Sequence, residues 1–485
     1  MMIHIDERPK CFKNWLHETV IVILMMLAQL LSQIAMFQSH PVMNILEKAF
    51  KNVNGYEKVW LLASSPLTTG AFILISGKFG DLYGLKIVLM CGITWCCIWT
   101  LLSGISRYSE SLIFFCICRA FQGIGLAFIL PTAIGIAGNL YPNGQRKAIV
   151  FCLIASCAPL GAALGSVFGA LTGQFGHWEW GFYSNAIVLF LMGIGVQLVV
   201  PTITPHPAQL GMDWPGAVTG VVGLLLFNFA WNQAPAAGWD SPYIIVLLII
   251  GILALALFFY VEKKVKSPLL PSEIMDINIL LTLTVTFLGW GSFSIWSYYH
   301  YCLLLNLRHY NPLESGATFC NFAVFGSLAC FIVSMLIKKV KPSYILLASM
   351  CAFFVGIAML SKTPIHQTFF NMSFAQMVIL SFGMDLSFPA ALLILSDALP
   401  KKHQGMAGSL VSTMVNYSMS IGLGIAATAE VQIYEKTSDL LKSYRAAMYV
   451  GIGFAVAAIL LNIVQVMVSY NWNDEKIEKR EHACL

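Results

Sequence analysis

The chain has 485 residues, of which 58% are hydrophobic and 11% are charged, and its mean hydropathy is +0.76. Soluble globular proteins are about 25% charged, so this composition excludes a water-soluble fold and predicts an integral membrane protein. The formal net charge of +5 gives no orientation, because orientation depends on which loops hold the lysines and arginines.

Fourteen apolar segments are long enough to cross a bilayer, which takes about 20 helical residues. They cover residues 15–38, 59–77, 87–104, 111–138, 149–171, 181–200, 214–233, 242–261, 277–305, 315–337, 344–361, 372–395, 406–429 and 446–470. We therefore predict an all-α protein with fourteen transmembrane helices. The expected organisation is an amino-terminal tail 1–14, a six-helix bundle 15–200, two inserted helices with linkers 201–276, a second six-helix bundle 277–470 and a tail 471–485.

The lysines and arginines between the spans are unevenly divided between the two sides of the membrane. The side that holds the amino terminus carries 18 of them and the other side carries 9, while Arg119 lies inside a span. Since cytoplasmic loops are enriched in these residues, both tails are expected in the cytoplasm. We expect the plasma membrane, with the vacuolar membrane as the alternative.

A short glycine-rich segment, residues 77–86, joins the second and third spans. Its Gly77, Gly80, Asp81, Gly84 and Lys86 resemble the signature loop between the second and third helices of the major facilitator superfamily. Glycine permits left-handed turns and close helix approach, which a tight loop between two spans needs. The resemblance implies a cytoplasmic gating loop in which Asp81 engages helix ends of the other half in one state. A plain cytoplasmic turn is the alternative.

Four further segments resemble motifs of the same superfamily, in the same order along the chain. Segment 119–125 is similar to its Arg-x-x-x-Gly-x-Gly helix motif, and segment 161–166 to its antiporter glycine element. Segments 178–185 and 399–410 resemble the entries to the sixth and thirteenth helices. With fourteen spans, the chain is identified as a member of the fourteen-span drug:proton antiporter family. It is most similar to fungal proteins of aminotriazole resistance, boron export and low-affinity ammonium transport.

This resemblance implies a major facilitator fold, in which two six-helix bundles work by alternating access. It also implies a secondary active transporter that exports small polar or drug-like compounds, as in multidrug resistance, and draws energy from a proton gradient. Three departures count against proton-driven export. Segment 37–44 lacks the family's acidic residue, Ala162 and Ser166 replace the antiporter element's proline and second glycine, and Glu179 stands where arginine is usual. The alternative is an uncoupled facilitator or low-affinity permease for a small solute such as ammonium or borate.

Charged side chains inside a span are costly and tend to be functional. Asp385 lies near the middle of its span, where a buried carboxyl could bind and release a proton as the cavity alternates. Its structural alternative is a hydrogen bond to Ser381 or a cap at the break made by Pro389. Arg119 could bind an anion or tune a carboxylate, and its structural alternative is a tie to backbone carbonyls or Gln122. We expect Asp385 and Arg119 to face one central chamber and to carry the proton coupling.

The family's first and fourth helices of each half line the central cavity, and here these correspond to spans 1, 4, 9 and 12. Gln29 and Gln33 lie one turn apart in span 1. Trp290, Trp296 and His300 lie in span 9, where aromatic rings could stack on an apolar or cationic substrate. All five are substrate-cavity candidates. For span 9 the alternative is packing and an interfacial aromatic belt.

Two other features have structural and functional interpretations. Gly161, Gly165, Gly169 and Gly173 recur every four residues, so another helix can approach this stripe closely. The resemblance places the counterpart helix of the other half there, either as a sliding surface or as static packing. Asn371 begins an Asn-Met-Ser glycosylation sequon in a predicted outer loop, close to a helix.

The sequence contains no nucleotide-binding loop, no metal-ligand cluster and no soluble catalytic domain. We therefore expect no enzyme, no metal and no cofactor, and hold a membrane enzyme or receptor as a third reading. The 13 cysteines form no Cys-x-x-Cys pair and mostly fall in apolar segments, where they act as small hydrophobic residues. The expected partners are a small-molecule substrate, protons and lipid, with no nucleic acid, and the protein is expected to be a monomer.

Overall fold

A computed structural model describes residues 8–9, 11–51, 53, 55–142, 144–202, 211–265, 268–270, 272–337, 339–399 and 404–482. In these ranges fourteen helices are long and apolar enough to cross a membrane, so the fourteen-span prediction is confirmed. The helices are α1 Trp15–Phe37, α2 Trp60–Tyr83, α3 Leu85–Ile105, α4 Leu112–Leu140, α5 Gln145–Gln174, α6 Glu179–Val199, α7 Trp214–Ala237, α8 Pro242–Glu262, α9 Ile277–Cys302, α10 Pro312–Leu336, α11 Pro342–Lys362, α12 Met372–Ala398, α13 Gln404–Thr437 and α14 Leu440–His482. We call the side on which α1 begins the amino-terminal face, and the side on which it ends the opposite face.

Polar side chains set where several helices begin. Asn14 accepts a hydrogen bond from the backbone N–H of His17 at 2.7 Å and caps α1. Asp213 caps α7 and Asp276 caps α9 in the same way. Each cap satisfies a backbone N–H that has no partner inside the helix, which matters most near lipid, where water cannot replace it.

Helices α1–α6 pack together as one half and α9–α14 as the other. The halves meet along two seams, where α2 packs against α13 and α5 packs against α10. A π-helical turn, Leu303–Leu307, extends α9, and another, Phe322–Gly326, interrupts α10. These turns lie where α9 and α10 approach the first half, and such turns are frequent at functional sites.

The inserted pair lies beside one seam. Helix α7 packs against both α2 and α13, and α8 packs against α7. The Asn232 side chain donates to Asn228 Oδ1 at 2.6 Å, and Ser420 of α13 donates to the same oxygen at 3.1 Å. Trp60, which begins α2, donates to Gln233 Oε1 at 2.7 Å. Helix α7 is therefore bonded to both halves, whereas α8 turns most of its apolar surface outward.

The predicted gating loop is largely helical, so this expectation is wrong in its geometry. Helix α2 continues through Gly77, Gly80 and Asp81 to Tyr83, and α3 begins at Leu85. Only Gly84 breaks the helix, with a φ of 94° that favours glycine. Lys86 donates to the carbonyl oxygens of Gln197 and Val200 at 2.9 and 2.6 Å, in its own half.

The carboxy-terminal segment also differs from expectation. We expected a tail from residue 471, but α14 remains helical to His482. The first residues of the amino-terminal tail, the linker at 203–210 and residues 400–403 of the last motif lie outside the described residues. Asn371 is exposed just before α12, at the opposite face, and its glycosylation stays a prediction.

The glycine stripe of α5 faces α1 of its own half, which contradicts the expected contact with the other half. A Cβ on Gly161 would lie 2.6 Å from the Leu30 carbonyl oxygen, and one on Gly165 would lie 2.7 Å from Ile34 Cα. Further along α5, Gly169 lies directly against the Gln38 carbonyl oxygen, and Gly173 lies against the Val42 side chain. Glycine periodicity shows that some helix approaches closely, but it does not identify that helix.

The other half instead contacts different residues of α5. A Cβ on Gly316 of α10 would lie 2.6 Å from Ala170 Cβ, and one on Gly326 would lie 2.5 Å from Pro159 Cβ. The glycines that permit close approach at this seam therefore belong to α10.

Candidate functional site

A cavity of about 290 Å³ lies between the two halves. Residues from α1, α4, α9 and α12 line it, as expected, and residues from α5, α10 and α13 line it as well. Its lining extends from Phe37 at the end of α1 to Ile337 just after α10, so it reaches the amino-terminal face. Most of the wall is apolar, and the polar groups are few: Gln29, Gln33, Ser334, Asp385, Ser412 and Asn416.

Asp385 supplies the one carboxylate among the described lining residues, which include no lysine, arginine or histidine. The residue is 8% exposed, and its Oδ2 has no hydrogen-bond partner among the described residues. That oxygen faces the seam, because a Cβ on Gly326 would lie 2.6 Å from it. Cys330 of α10 lines the same cavity. Ser381, the partner in the structural alternative, instead donates to the Met377 carbonyl oxygen at 2.9 Å.

The candidates in α1 and one ring of α9 also lie on the cavity wall. Gln29 and Gln33 are both half-buried and present their amides from α1. Trp290 lines the cavity while its indole N–H donates to Ser387 Oγ of α12 at 3.1 Å. That bond fixes the ring plane against the wall. The structure thus brings Gln29, Gln33, Trp290 and Asp385 to one chamber, and their role in transport stays a prediction.

Arg119 does not share this chamber, so the expectation that it faces Asp385 across the cavity is wrong. Its side chain is fully buried inside the first half and donates to Gln122 Oε1. Gln122 in turn donates to Thr100 Oγ1 of α3 at 2.6 Å. The guanidinium carbon lies 5.7 Å from the centre of the Phe182 ring. These contacts match the alternative reading of Arg119 as a residue tied to Gln122.

Trp296 and His300 also lie away from the cavity, inside the second half, which corrects their assignment as cavity residues. Both are fully buried, and their rings stack with centres 4.9 Å apart. The Trp296 N–H donates to Gln376 Oε1 at 3.3 Å, and His300 Nε2 lies 3.3 Å from Thr318 Oγ1. Packing, rather than substrate contact, accounts for these two side chains.

A layer of rings separates the cavity from the opposite face. Phe37 packs against Phe319 with ring centres 5.7 Å apart and stacks on His40 at 4.9 Å. The His40 ring lies 5.6 Å from that of Tyr301, whose hydroxyl is 2.5 Å from Ser166 Oγ. Phe37, His40 and Ser166 belong to the first half and Phe319 and Tyr301 to the second. This ring layer closes the opposite face, so the structure represents the state with the cavity extended to the amino-terminal face.

The ring layer contains a titratable group outside the spans. Burial, and secondarily the positive charge of Arg119, lower the pKa of His40 to about 3. The imidazole is therefore neutral in the closed layer at ordinary pH. Charging it costs free energy in the folded state but not in the unfolded chain, whose histidine has a pKa near 6.5. His40 therefore has no effect on the free energy of unfolding above about pH 6.5 and lowers it progressively as the pH falls below that value.

We expect His40→Gln to remove this acid sensitivity. Between pH 7.5 and 5.5 the wild-type protein should lose more stability than the variant, by up to about 1.4 kcal/mol for each pH unit below 6.5. Thermal unfolding of purified protein at the two pH values measures the difference. His366→Gln, at an exposed position, is the matched control and should behave as wild type. Equal acid losses in wild type and His40→Gln would contradict the assignment.

Sequence reasoning missed the residues supplied by α5, α10 and α13. Cys152 and Cys330 face the cavity from the two sides of the α5–α10 seam, and Ser412 and Asn416 face it from α13. Asn416 donates to the Ser412 carbonyl oxygen at 2.9 Å. Small polar residues in a span are common in helix packing, so their type alone gave no signal.

Comparison with known proteins gives consistent results along the whole chain. Residues 25–265, 208–423 and 279–483 match the family model described as Major Facilitator Superfamily. The chain is 45% identical to the aminotriazole resistance protein of Saccharomyces cerevisiae, over 99% of this chain and 89% of that protein. It is 39% identical to the low affinity ammonium transporter of the same yeast, over 98% of this chain and 93% of that protein.

Among solved structures, the chain resembles a POT family transporter crystallised with a thioalcohol-conjugated peptide. The TM-score is 0.67, and the match covers 94% of this chain and 96% of the other. Sequence identity is 14%, so this likeness shows a shared fold alone.

Proposed function

The chain belongs to the Major Facilitator Superfamily, and from that premise we propose that it exports small polar or drug-like compounds in exchange for protons. The cavity between the halves binds the substrate, and Asp385 carries the proton. The observation that supports this most directly is the Asp385 carboxyl group, held in the cavity with an unpartnered oxygen. A carboxyl group in such a place can hold either a proton or a polar substrate group, which is the competition that antiport requires.

The lining sets the substrate class that we propose. Its described residues offer one carboxyl group, three amides and two serines but no cation, so a carboxylate or phosphate would find no counter-charge. The apolar wall and Trp290 suit a flat or partly apolar compound. We therefore propose uncharged or cationic compounds with N–H or O–H groups. The volume of about 290 Å³ favours compounds at or below the size of a small drug.

An uncoupled facilitator is the second candidate function. No acidic residue stands in segment 37–44, at the end of α1, where the antiporter family usually has one. A low-affinity permease for ammonium or borate would need only the polar groups of the cavity. The similarity to the aminotriazole resistance protein favours export, whereas the similarity to the low affinity ammonium transporter leaves a permease as the alternative.

We further propose the plasma membrane, with the amino-terminal face in the cytoplasm. The uneven division of lysines and arginines supports this orientation. In it, the cavity extends to the cytoplasm and the ring layer closes the outer side. A substrate taken up from the cytoplasm would enter the chamber in this state.

Flux in proteoliposomes separates the two candidates. We expect a radiolabelled aminotriazole, or another hit from a toxicant panel, to accumulate when a pH gradient is imposed and to leak out when the gradient is collapsed. An uncoupled carrier of an uncharged solute equilibrates its substrate but never concentrates it. Accumulation that is independent of the pH gradient would contradict proton exchange, and protein-free liposomes provide the baseline.

A further inference from the structure

A chain of polar contacts crosses between the halves at the opposite face, beyond the ring layer. Asn44, in the short helix Met43–Ala49, donates from Nδ2 to Asn306 Oδ1 at 2.7 Å. Asn306, in the π-helical turn after α9, donates from its own Nδ2 to Tyr444 Oη of α14 at 2.6 Å. The first residue belongs to one half and the other two to the second half. The Asn44–Asn306 bond is therefore a direct tie between the halves.

Lys58 determines the direction of donation along this series of hydrogen bonds. Its ammonium group donates to Asn44 Oδ1 and pairs with Glu47 Oε2 at 2.8 Å. The lysine side chain is 10% exposed, so little water competes for these contacts. Because an ammonium group can only donate, Asn44 must present its oxygen to Lys58 and its amino group to Asn306. Asn306 then presents its oxygen to Asn44 and its amino group to Tyr444. Lys58 thus determines the orientation of both side-chain amides, those of Asn44 and Asn306.

The order of these contacts across the two halves also shows which hydrogen bond must break when the opposite face opens. Lys58, Glu47 and Asn44 all lie in the segment that joins α1 and α2, so they remain together when the halves separate. Asn306 and Tyr444 both belong to the second half and also remain together. The hydrogen bond between Asn44 and Asn306 is the link in this chain that separation of the halves must break.

We propose that Lys58 is a positioning residue of the transport cycle, which holds the Asn44 amide in the orientation that ties it to Asn306 and so keeps the opposite face closed. This inference rests on the alternating access of the proposed function. Lys58 does not touch the cavity, and it acts through Asn44. Glu47 limits the freedom of the ammonium group, so the amide is held in one orientation rather than flipping.

A labelling experiment tests this role. The reporter is Ala162→Cys, placed in the cavity wall below the ring layer, in a chain whose native cysteines are replaced by serine or alanine. A membrane-impermeant maleimide is applied from the opposite face only. We expect Lys58→Met to raise the labelling rate about tenfold and Lys58→Arg to restore the wild-type rate. A structural role without gating would lower the amount of folded protein but leave the labelling rate per folded molecule unchanged, and that result would overturn the proposal.

A second experiment leaves Lys58 unchanged and tests the tie between Asn44 and Asn306, on which the proposed role of Lys58 depends. Asn44→Cys together with Asn306→Cys, joined by mild oxidation, should trap the closed opposite face. We expect transport to be lost on oxidation and recovered on reduction, while each single cysteine variant transports under both conditions. Transport that continues in the oxidised double variant would overturn the proposal.

These outcomes are separable from those of the proposed function. Labelling needs neither substrate nor a proton gradient, so it reports the gate even if export is not coupled to protons. Normal labelling in Lys58→Met with intact proton-driven flux would remove the Lys58 inference and leave the export proposal in place. Faster labelling of Lys58→Met, together with wild-type flux that does not respond to the pH gradient, would support the Lys58 inference and contradict proton-coupled export.

Discussion

Replacement of Asp385 by asparagine is expected to abolish transport driven by a pH gradient, by at least about a hundredfold in initial rate. The amide is similar in size and polarity to the carboxyl group, so the cavity wall keeps its shape, but the amide cannot bind and release a proton. We expect substrate exchange between equal concentrations on both sides to continue, because that half-cycle needs no net proton movement. Flux in proteoliposomes with and without an imposed pH gradient measures both quantities.

Asp397→Asn is the matched control for this substitution. It makes the same chemical change on the same helix, one residue before the end of the Met372–Ala398 segment, where the side chain is exposed. It should accumulate substrate as the wild-type protein does. If Asp385→Asn still concentrated substrate in response to the pH gradient, Asp385 would not be the coupling group, and the uncoupled alternative would still have to be tested on the wild-type protein.

Gly169→Val is expected to prevent the first half from folding, with a loss of at least about 3 kcal/mol of stability. The backbone of α1 lies directly against Gly169, so that even a Cβ would overlap the Gln38 carbonyl oxygen. Backbone cannot move aside as a flexible side chain can, and the neighbouring contacts of Gly161 and Gly165 with Leu30 and Ile34 hold α1 in register. The amount of monodisperse protein recovered from membranes, together with its unfolding temperature, measures the effect.

The control is Gly453→Val, which introduces the same side chain in the middle of a transmembrane helix. No atom lies within 4 Å of a Cβ at Gly453, and the position is exposed on the surface of α14. We expect wild-type yield from this variant. Equal yields from the two variants would show that the α1–α5 contact is not as close as the structure has it.

Much of the architecture could be predicted because the bilayer imposes it. A span must be apolar for about 20 residues, and this requirement alone located all fourteen helices. The placement of Asp385, Gln29 and Trp290 could be anticipated because polar residues inside spans avoid lipid and face a chamber or a neighbouring helix. The motifs added the order of the helices, from which the cavity-lining spans followed.

The misplaced side chains and the glycine stripe share one physical cause: a sequence pattern identifies a helix but not the rotation of that helix about its own axis. Arg119 and Trp296 lie on helices that line the cavity, yet each side chain points into its own half. The glycine stripe has the same limitation, because close approach was predictable but the approaching helix was not. The loop geometry expected around Asp81 was wrong for a different reason, since α2 remains helical beyond its apolar segment and ends only at Tyr83. The gating role of Asp81 stays a prediction.

The polar chain at the opposite face was not foreseen because its members lie outside the spans. Lys58 is one of the nine lysines and arginines on the side opposite the amino terminus, and a lysine in a loop is ordinarily a solvated surface charge. Its burial beside Glu47 and Asn44 depends on how the short helix Met43–Ala49 folds back. Such a contact arises from tertiary structure, and no local pattern encodes it.

The attachment of α7 to both α2 and α13 has a mechanical consequence. One seam of the molecule is fastened by a third helix along its length, through Trp60 and Gln233 on one side and Asn228 and Ser420 on the other. Among the described residues, no third helix packs against both α5 and α10. The alternating access that we propose requires the halves to rotate relative to one another. Such a rotation should pivot about the seam held by α7 and open widest along the α5–α10 seam.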